Sequence, residues 1–153
     1  MWDTVFNIAN LLALAMWAIL ILLPRKPFAM ALVLYCGVGL LCLTYVVLLV
    51  GLVSGVFDPV REAGAGAANF GDFSLSGIAD LFRSEGGVTT GWVHYLAFDL
   101  FIGVWIARDA DAKGFSRWVQ APILLATFMA GPLGLFVWLL MRERRARAAG
   151  RWS

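Results

Sequence analysis

From Phe28 to Val53 the chain carries no charged residue. Wound as a helix at about 1.5 Å per residue, a run of that length exceeds the roughly 30 Å of hydrocarbon in a bilayer. Three further apolar segments, near residues 4–23, 90–107 and 121–141, are long enough to do the same. Hydrophobic residues make up 61% of the sequence and charged ones 14%, far from the balance of a soluble domain. Helices satisfy their own backbone hydrogen bonds in lipid, and no alternating apolar and polar pattern suggests a barrel. The fold expected is all-α: an integral membrane four-helix bundle, a single transmembrane domain over residues 1–153. A long Gly-rich loop, 54–89, joins helices two and three.

The first apolar segment follows Met1-Trp2-Asp3 without a basic flank and runs into Pro24-Arg25-Lys26-Pro27, so it reads as a retained anchor. Cys36 and Cys42 fall inside the second span on different helix faces. Neither a disulfide framework nor a metal site is indicated, and buried free thiols are expected. The net charge of +2 comes mainly from arginines flanking the spans, and nucleic acid is not an expected partner. The partner implied by composition is the lipid bilayer.

The third span, residues 90–107, carries the only histidine, His94, and an aspartate, Asp99, near its middle. An ionisable side chain in hydrocarbon is costly and is turned toward protein, water or a ligand, which makes each a functional candidate. The two are about 140° apart around the helix, a poor geometry for ligands of one metal. They could still flank one cavity, where a histidine titrating near neutrality and a buried carboxyl would exchange protons. The competing reading pairs Asp99 with Asn10 or Tyr45 and leaves His94 in an interfacial aromatic belt with Trp92 and Tyr95. Asn7 and Asn10 share a face of span one, either bonding between helices or lining the same cavity. Depth arithmetic sets Thr44 and Tyr45 of span two level with Asp99.

In the loop, the run Gly64-Ala65-Gly66-Ala67-Ala68-Asn69 opposes regular structure, while Leu75, Ile78 and Phe82 recur at helical spacing. That spacing predicts a short interfacial helix capped by Ser74 or Ser76, either lid or solvated insertion. Gly51 and Gly55 form a small-xxx-small pattern that would bring helices together. Within span four, Gly131-Pro132-Leu133-Gly134 predicts a kink. Four crossings set the N-terminus, the long loop and the Arg142–Arg147 tail on one side. Seven basic residues there face five opposite, a narrow margin for cytoplasmic termini in a bacterial inner membrane.

Gly91-Trp92-Val93-His94-Tyr95-Leu96-Ala97-Phe98-Asp99-Leu100-Phe101, then Arg108-Asp109, then Thr127-Phe128-Met129-Ala130-Gly131-Pro132-Leu133-Gly134-Leu135 resembles the abscisic-acid-deficient family. These are small membrane proteins needed in plants for neoxanthin synthesis, with many bacterial relatives. Ala9-Asn10, Pro24-Arg25 and Leu81-Phe82 extend the resemblance along the chain. Ser116-Arg117 stands where many relatives would have a histidine, so no histidine after span three can be catalytic here.

The resemblance implies isomerisation of an epoxy-carotenoid or related isoprenoid to an allene. That reaction needs an acid for the epoxide oxygen and a base for a carbon-bound proton, with no redox cofactor. It assigns catalysis to Asp99 and His94, and substrate binding to Asn7, Asn10, Tyr45, Tyr95 and Trp105, with a carotenoid-like small molecule as ligand. Two alternatives stand beside the enzyme: a non-catalytic lipid- or pigment-binding protein that assists an enzyme, and a small transporter subunit. Few intramembrane charges and no visible repeat argue against transport, although a homodimer could supply a pathway.

Overall fold

Runs of leucine, alanine and valine without charge wind into the long helices of the chain, and proline and glycine mark where they stop. The computed structural model describes residues 1–65 and 69–148, without the side chains beyond Glu143. Residues 66–68 of the Gly/Ala run, Arg151, and the side chains of Arg144, Arg145 and Arg147 thus lie outside the described residues. Helix α1 spans Trp2–Leu22 and ends where Leu23 turns extended before Pro24. Helix α2 covers Pro27–Val53, with a wide π segment over Leu32–Gly39. It closes at Gly55, whose φ of 73° is left-handed and suits glycine.

The connection then holds one short helix, α3, Leu75–Leu81, capped as expected by Ser74, whose hydroxyl accepts from the Gly77 N–H. Hydrogen bonds from Ser74 also hold the Asp72 carboxyl below its usual range. Helix α4 spans Glu85–Ala112, capped by Ser84, so residues 85–89, expected in the loop, belong to the helix instead. Helices α5, Arg117–Met129, and α6, Gly131–Ala148, complete the chain. Among the described residues the fold is all-helical, with one isolated bridge between Arg61 and Ser84.

Helices α1, α2 and α4 are long and apolar enough to cross a membrane. The fourth expected crossing is not made. At 13 residues, α5 is about 20 Å long, too short to span. It starts beside the end of α4, where the Gln120 amide donates to Asp111 Oδ1 at 2.9 Å, and runs back until the Tyr95 hydroxyl meets the Met129 carbonyl at 3.4 Å. There α6 reverses: the Trp138 indole and Arg142 Nε reach Asp109 Oδ2 at 3.0 and 2.8 Å, and Trp138 packs edge-on against Phe115. The last segment is therefore a helical hairpin whose two arms start and finish at one end of α4. Pro132 does not kink a continuous helix; it sits in the first turn of a new one, where its missing N–H is no loss. The tail consequently lies at the opposite end from the N-terminus.

Over half of α4's apolar window is buried (56%), against 22% and 28% for α1 and α2, which makes α4 the centre of the assembly. Close approach runs through Gly37, against Met16 and Leu100, and Gly103, against the Trp17 ring. Gly51 does not bring helices together: it makes room for the returning Phe57 ring, and Gly55 has open space around it. Cys36 and Cys42 are free thiols but exposed on the outer face of α2, alongside Val46, Val47 and Val50, and not buried as expected. Gly103→Val would drive methyl groups into the Trp17 ring, so its thermal midpoint in detergent should fall by the equivalent of about 1–3 kcal/mol. An unchanged midpoint would remove this contact from the account.

At the hairpin end a polar knot ties the α1–α2 connection to α4 and α5. Arg25, with its side chain 7% exposed, donates to the Ala107 carbonyl, to Asp111 and to the buried Gln120. Arg117 caps the open carbonyls of α1 at Ile21 and Leu23, 3.0 and 2.6 Å away.

Candidate functional site

Tyr95 and Asp99 are four residues apart and share one face of α4. That face meets the hairpin tip. Ala130 is extended, φ −158° and ψ 91°, and Gly131 opens α6, so the first N–H groups of that helix have no partner within it. The Asp99 carboxyl sits directly over Gly131, so close that a Cβ there would collide with Oδ1. The Gly131 N–H and the Tyr95 hydroxyl are the polar groups that approach it. A carboxylate set against a helix N-terminus is favoured by the exposed N–H dipoles, and more so away from water. Asp99 is nonetheless only partly satisfied: it is 8% exposed, and Oδ2 is buried with no hydrogen-bond partner among the described residues.

A column of rings leads to this carboxyl from the N-terminal end. Phe6 stacks on Trp92 at 5.8 Å and Trp92 on Tyr95 at 5.1 Å. The Trp92 indole donates to Asn10 Oδ1 at 3.0 Å, and the Asn10 amide donates to the Phe6 carbonyl at 2.7 Å. Asn10 is thus a brace for the column and not a partner of Asp99. The hairpin turns back at the level of Tyr95, so it leaves Trp92 39% and Met129 71% exposed. The column is open from the side.

The expected site residues separate into three places. Asp99, Tyr95 and Asn10 belong to the hairpin-tip site, and Asn7 is exposed on α1 one turn from Asn10. His94 lies on the other side of α4, stacked on Phe98 at 4.6 Å and edge-on to Tyr45 at 5.2 Å. Tyr45 is therefore a partner of His94 rather than of Asp99. Trp105 stands further along α4 under the Arg142 guanidinium, 5.7 Å from the ring centre. Asp109, between Arg142 and Lys113 at 2.8 Å each, pins the hairpin's return arm. Sequence reasoning missed Gly131 and the Arg25–Asp111–Gln120 knot. The Gly-Pro pair was the available signal for Gly131; the knot joins residues too far apart in the chain to leave one.

Three helices long and apolar enough to cross a membrane, with a hairpin that lays a helix terminus on a buried carboxyl, fit a membrane-associated protein with a buried polar site. The chain belongs to the ABA DEFICIENT 4-like family, whose model matches residues 4–138. No curated protein and no solved structure matches it.

Proposed function

We propose that this protein is a membrane-embedded isomerase of a carotenoid or related isoprenoid, working by acid–base chemistry at the hairpin tip. The observation that carries the reading is the buried Asp99 carboxyl, one oxygen without a partner, beside a phenol and over a helix N-terminus. Its membership of a family tied to neoxanthin synthesis supplies the reaction class. Asp99 removes the carbon-bound proton and the Tyr95 hydroxyl protonates the epoxide oxygen. Their adjacency lets the proton pass back from the carboxyl to the phenolate, so the cycle closes without a redox cofactor. The helix terminus stabilises the carboxylate between turnovers, and the Phe6–Trp92–Tyr95 column gives a polyene a lateral, ring-lined approach.

His94, turned toward Tyr45, has no part in this scheme. Expression in a carotenoid-producing host, with pigments extracted and chromatographed, tests it. Asp99→Asn should lower product formation by about a hundredfold or more, and Tyr95→Phe similarly, whereas His94→Gln should retain most of it. Product undiminished in Asp99→Asn would overturn the assignment. Pigment that co-purifies unconverted would instead favour a non-catalytic binding protein.

The membrane orientation proposed follows from the hairpin. Arg25, Lys26, Arg108, Lys113, Arg117 and Arg142 lie at its open end, against Arg61 and Arg83 at the other. Under the positive-inside rule the hairpin end faces the cytoplasm.

A further inference from the structure

A cavity lies on the side of α4 away from Asp99. It measures about 300 Å³, near the lower limit of roughly 300–1,000 Å³ for small-molecule sites. One wall is a continuous stripe of α4, Gly87, Thr90, Gly91 and His94, at helical spacing. Tyr45, Leu49 and Leu52 of α2 form the facing wall, and Pro59, Phe70, Leu81 and Phe82 of the loop close the end. The two glycines are what make the space: side chains there would fill it or strike Phe82 and Leu81.

Almost all of the lining is carbon, and of its two buried polar side chains, Ser84 and Thr90, one is satisfied within the protein. Ser84 donates to the Leu81 carbonyl at 3.2 Å and accepts from the Gly87 N–H at 3.1 Å. His94 is held between Phe98 and Tyr45 and forms a flat wall. Arg61 lines the cavity with interactions of its own. The exception is Thr90. A helical threonine ordinarily bonds back to the carbonyl four residues earlier, as Thr44 does to Leu40 and Thr127 to Ile123, both at 2.8 Å. Thr90 is 6% exposed, and its hydroxyl is buried with no hydrogen-bond partner among the described residues. A buried hydroxyl without a partner is costly in the free protein and gains a hydrogen bond when a ligand supplies an acceptor.

We propose that this cavity is a second ligand site, taking a ring-sized apolar group that carries a single acceptor oxygen, with the Thr90 hydroxyl as donor. The apolar walls hold the ring, the flat His94 imidazole packs on its face, and Thr90 selects for oxygen. Nothing in this inference depends on the chemistry at Asp99.

The monoterpene ketone menthone and its hydrocarbon counterpart p-menthane, which lacks the oxygen, are the probes. Saturation-transfer NMR on the full-length protein in nanodiscs, with empty nanodiscs as baseline, reports binding. Menthone should bind saturably and about tenfold more tightly than p-menthane. Thr90→Val should erase that preference, and Leu49→Trp should fill the cavity and abolish binding of both. Leu81→Trp fills it from the loop side and serves the same purpose should the first variant not fold. Asp99→Asn should bind menthone as the wild type does. The proposal is overturned by a ketone preference that survives Thr90→Val, by binding that survives a folded cavity-filling variant, by loss of binding in Asp99→Asn, or by no saturable binding to the wild type.

Discussion

Gly131→Ala is expected to abolish the proposed isomerase activity and to lower the thermal midpoint, although it adds one methyl group. The new Cβ would occupy the position of Asp99 Oδ1, so either the carboxyl swings away or the tip of the hairpin lifts off α4. Overpacking of this kind costs about 1–3 kcal/mol in stability. Here it also moves the helix N-terminus away from the charge it supports. The decisive measurement is a double-mutant cycle on thermal unfolding. In an Asp99→Gly background the same substitution has nothing to strike, so its cost should drop by at least about 1 kcal/mol. Additive costs in the cycle would show that Gly131 and Asp99 do not act on each other.

The second large effect concerns sidedness and should be close to all-or-none. In a background with Cys36 and Cys42 replaced by serine, Ser76→Cys on α3 should react with a membrane-impermeant maleimide added to intact bacterial cells. Ser116→Cys, between α4 and α5, should react only after permeabilisation, and a fluorescent protein fused after Ser153 should mature inside the cell. The argument is one of charge. Because α6 returns to the end at which α5 starts, Arg142 joins Arg25, Lys26, Arg108, Lys113 and Arg117, and the last turns of the helix carry Arg144, Arg145 and Arg147 in the same direction. A fused protein on the opposite side from Ser116→Cys would refute the hairpin, because a fourth crossing would separate the two. Labelling of Ser116→Cys from outside, together with a fusion that fails to mature, would leave the hairpin standing and invert the orientation.

What the sequence makes legible depends on which signals are local. Length and apolarity mark α1, α2 and α4 unambiguously, because the requirement to satisfy backbone groups in lipid acts on each segment separately. Asp99 is legible for the same reason: a carboxyl in an apolar run stands out wherever it points. The direction taken after Ala130 is not legible. A proline in the first turn of a new helix and one that kinks an old helix leave the same letters, Gly131-Pro132. What decides between them is contact with distant residues, Asp99 at the tip and Asp109 at the base. The narrow charge margin inferred from four crossings is a direct product of that ambiguity. The separation of His94 from Asp99 was already implicit in five residues of helix, and the structure gives each its own surroundings: aromatic for one, phenol and helix terminus for the other.

The half-depth hairpin also imposes an order on biogenesis. Asp99 is synthesised with α4, while the helix start that meets its carboxyl is made later. Until the hairpin docks, the polar group beside the carboxyl is the Tyr95 hydroxyl one turn back on its own helix, and an aspartate at mid-helix costs about 2.5–3.5 kcal/mol on insertion scales. Docking of the final segment is thus rewarded by neutralising a debt already present in the membrane, and the polar site comes into being only when the whole chain has arrived.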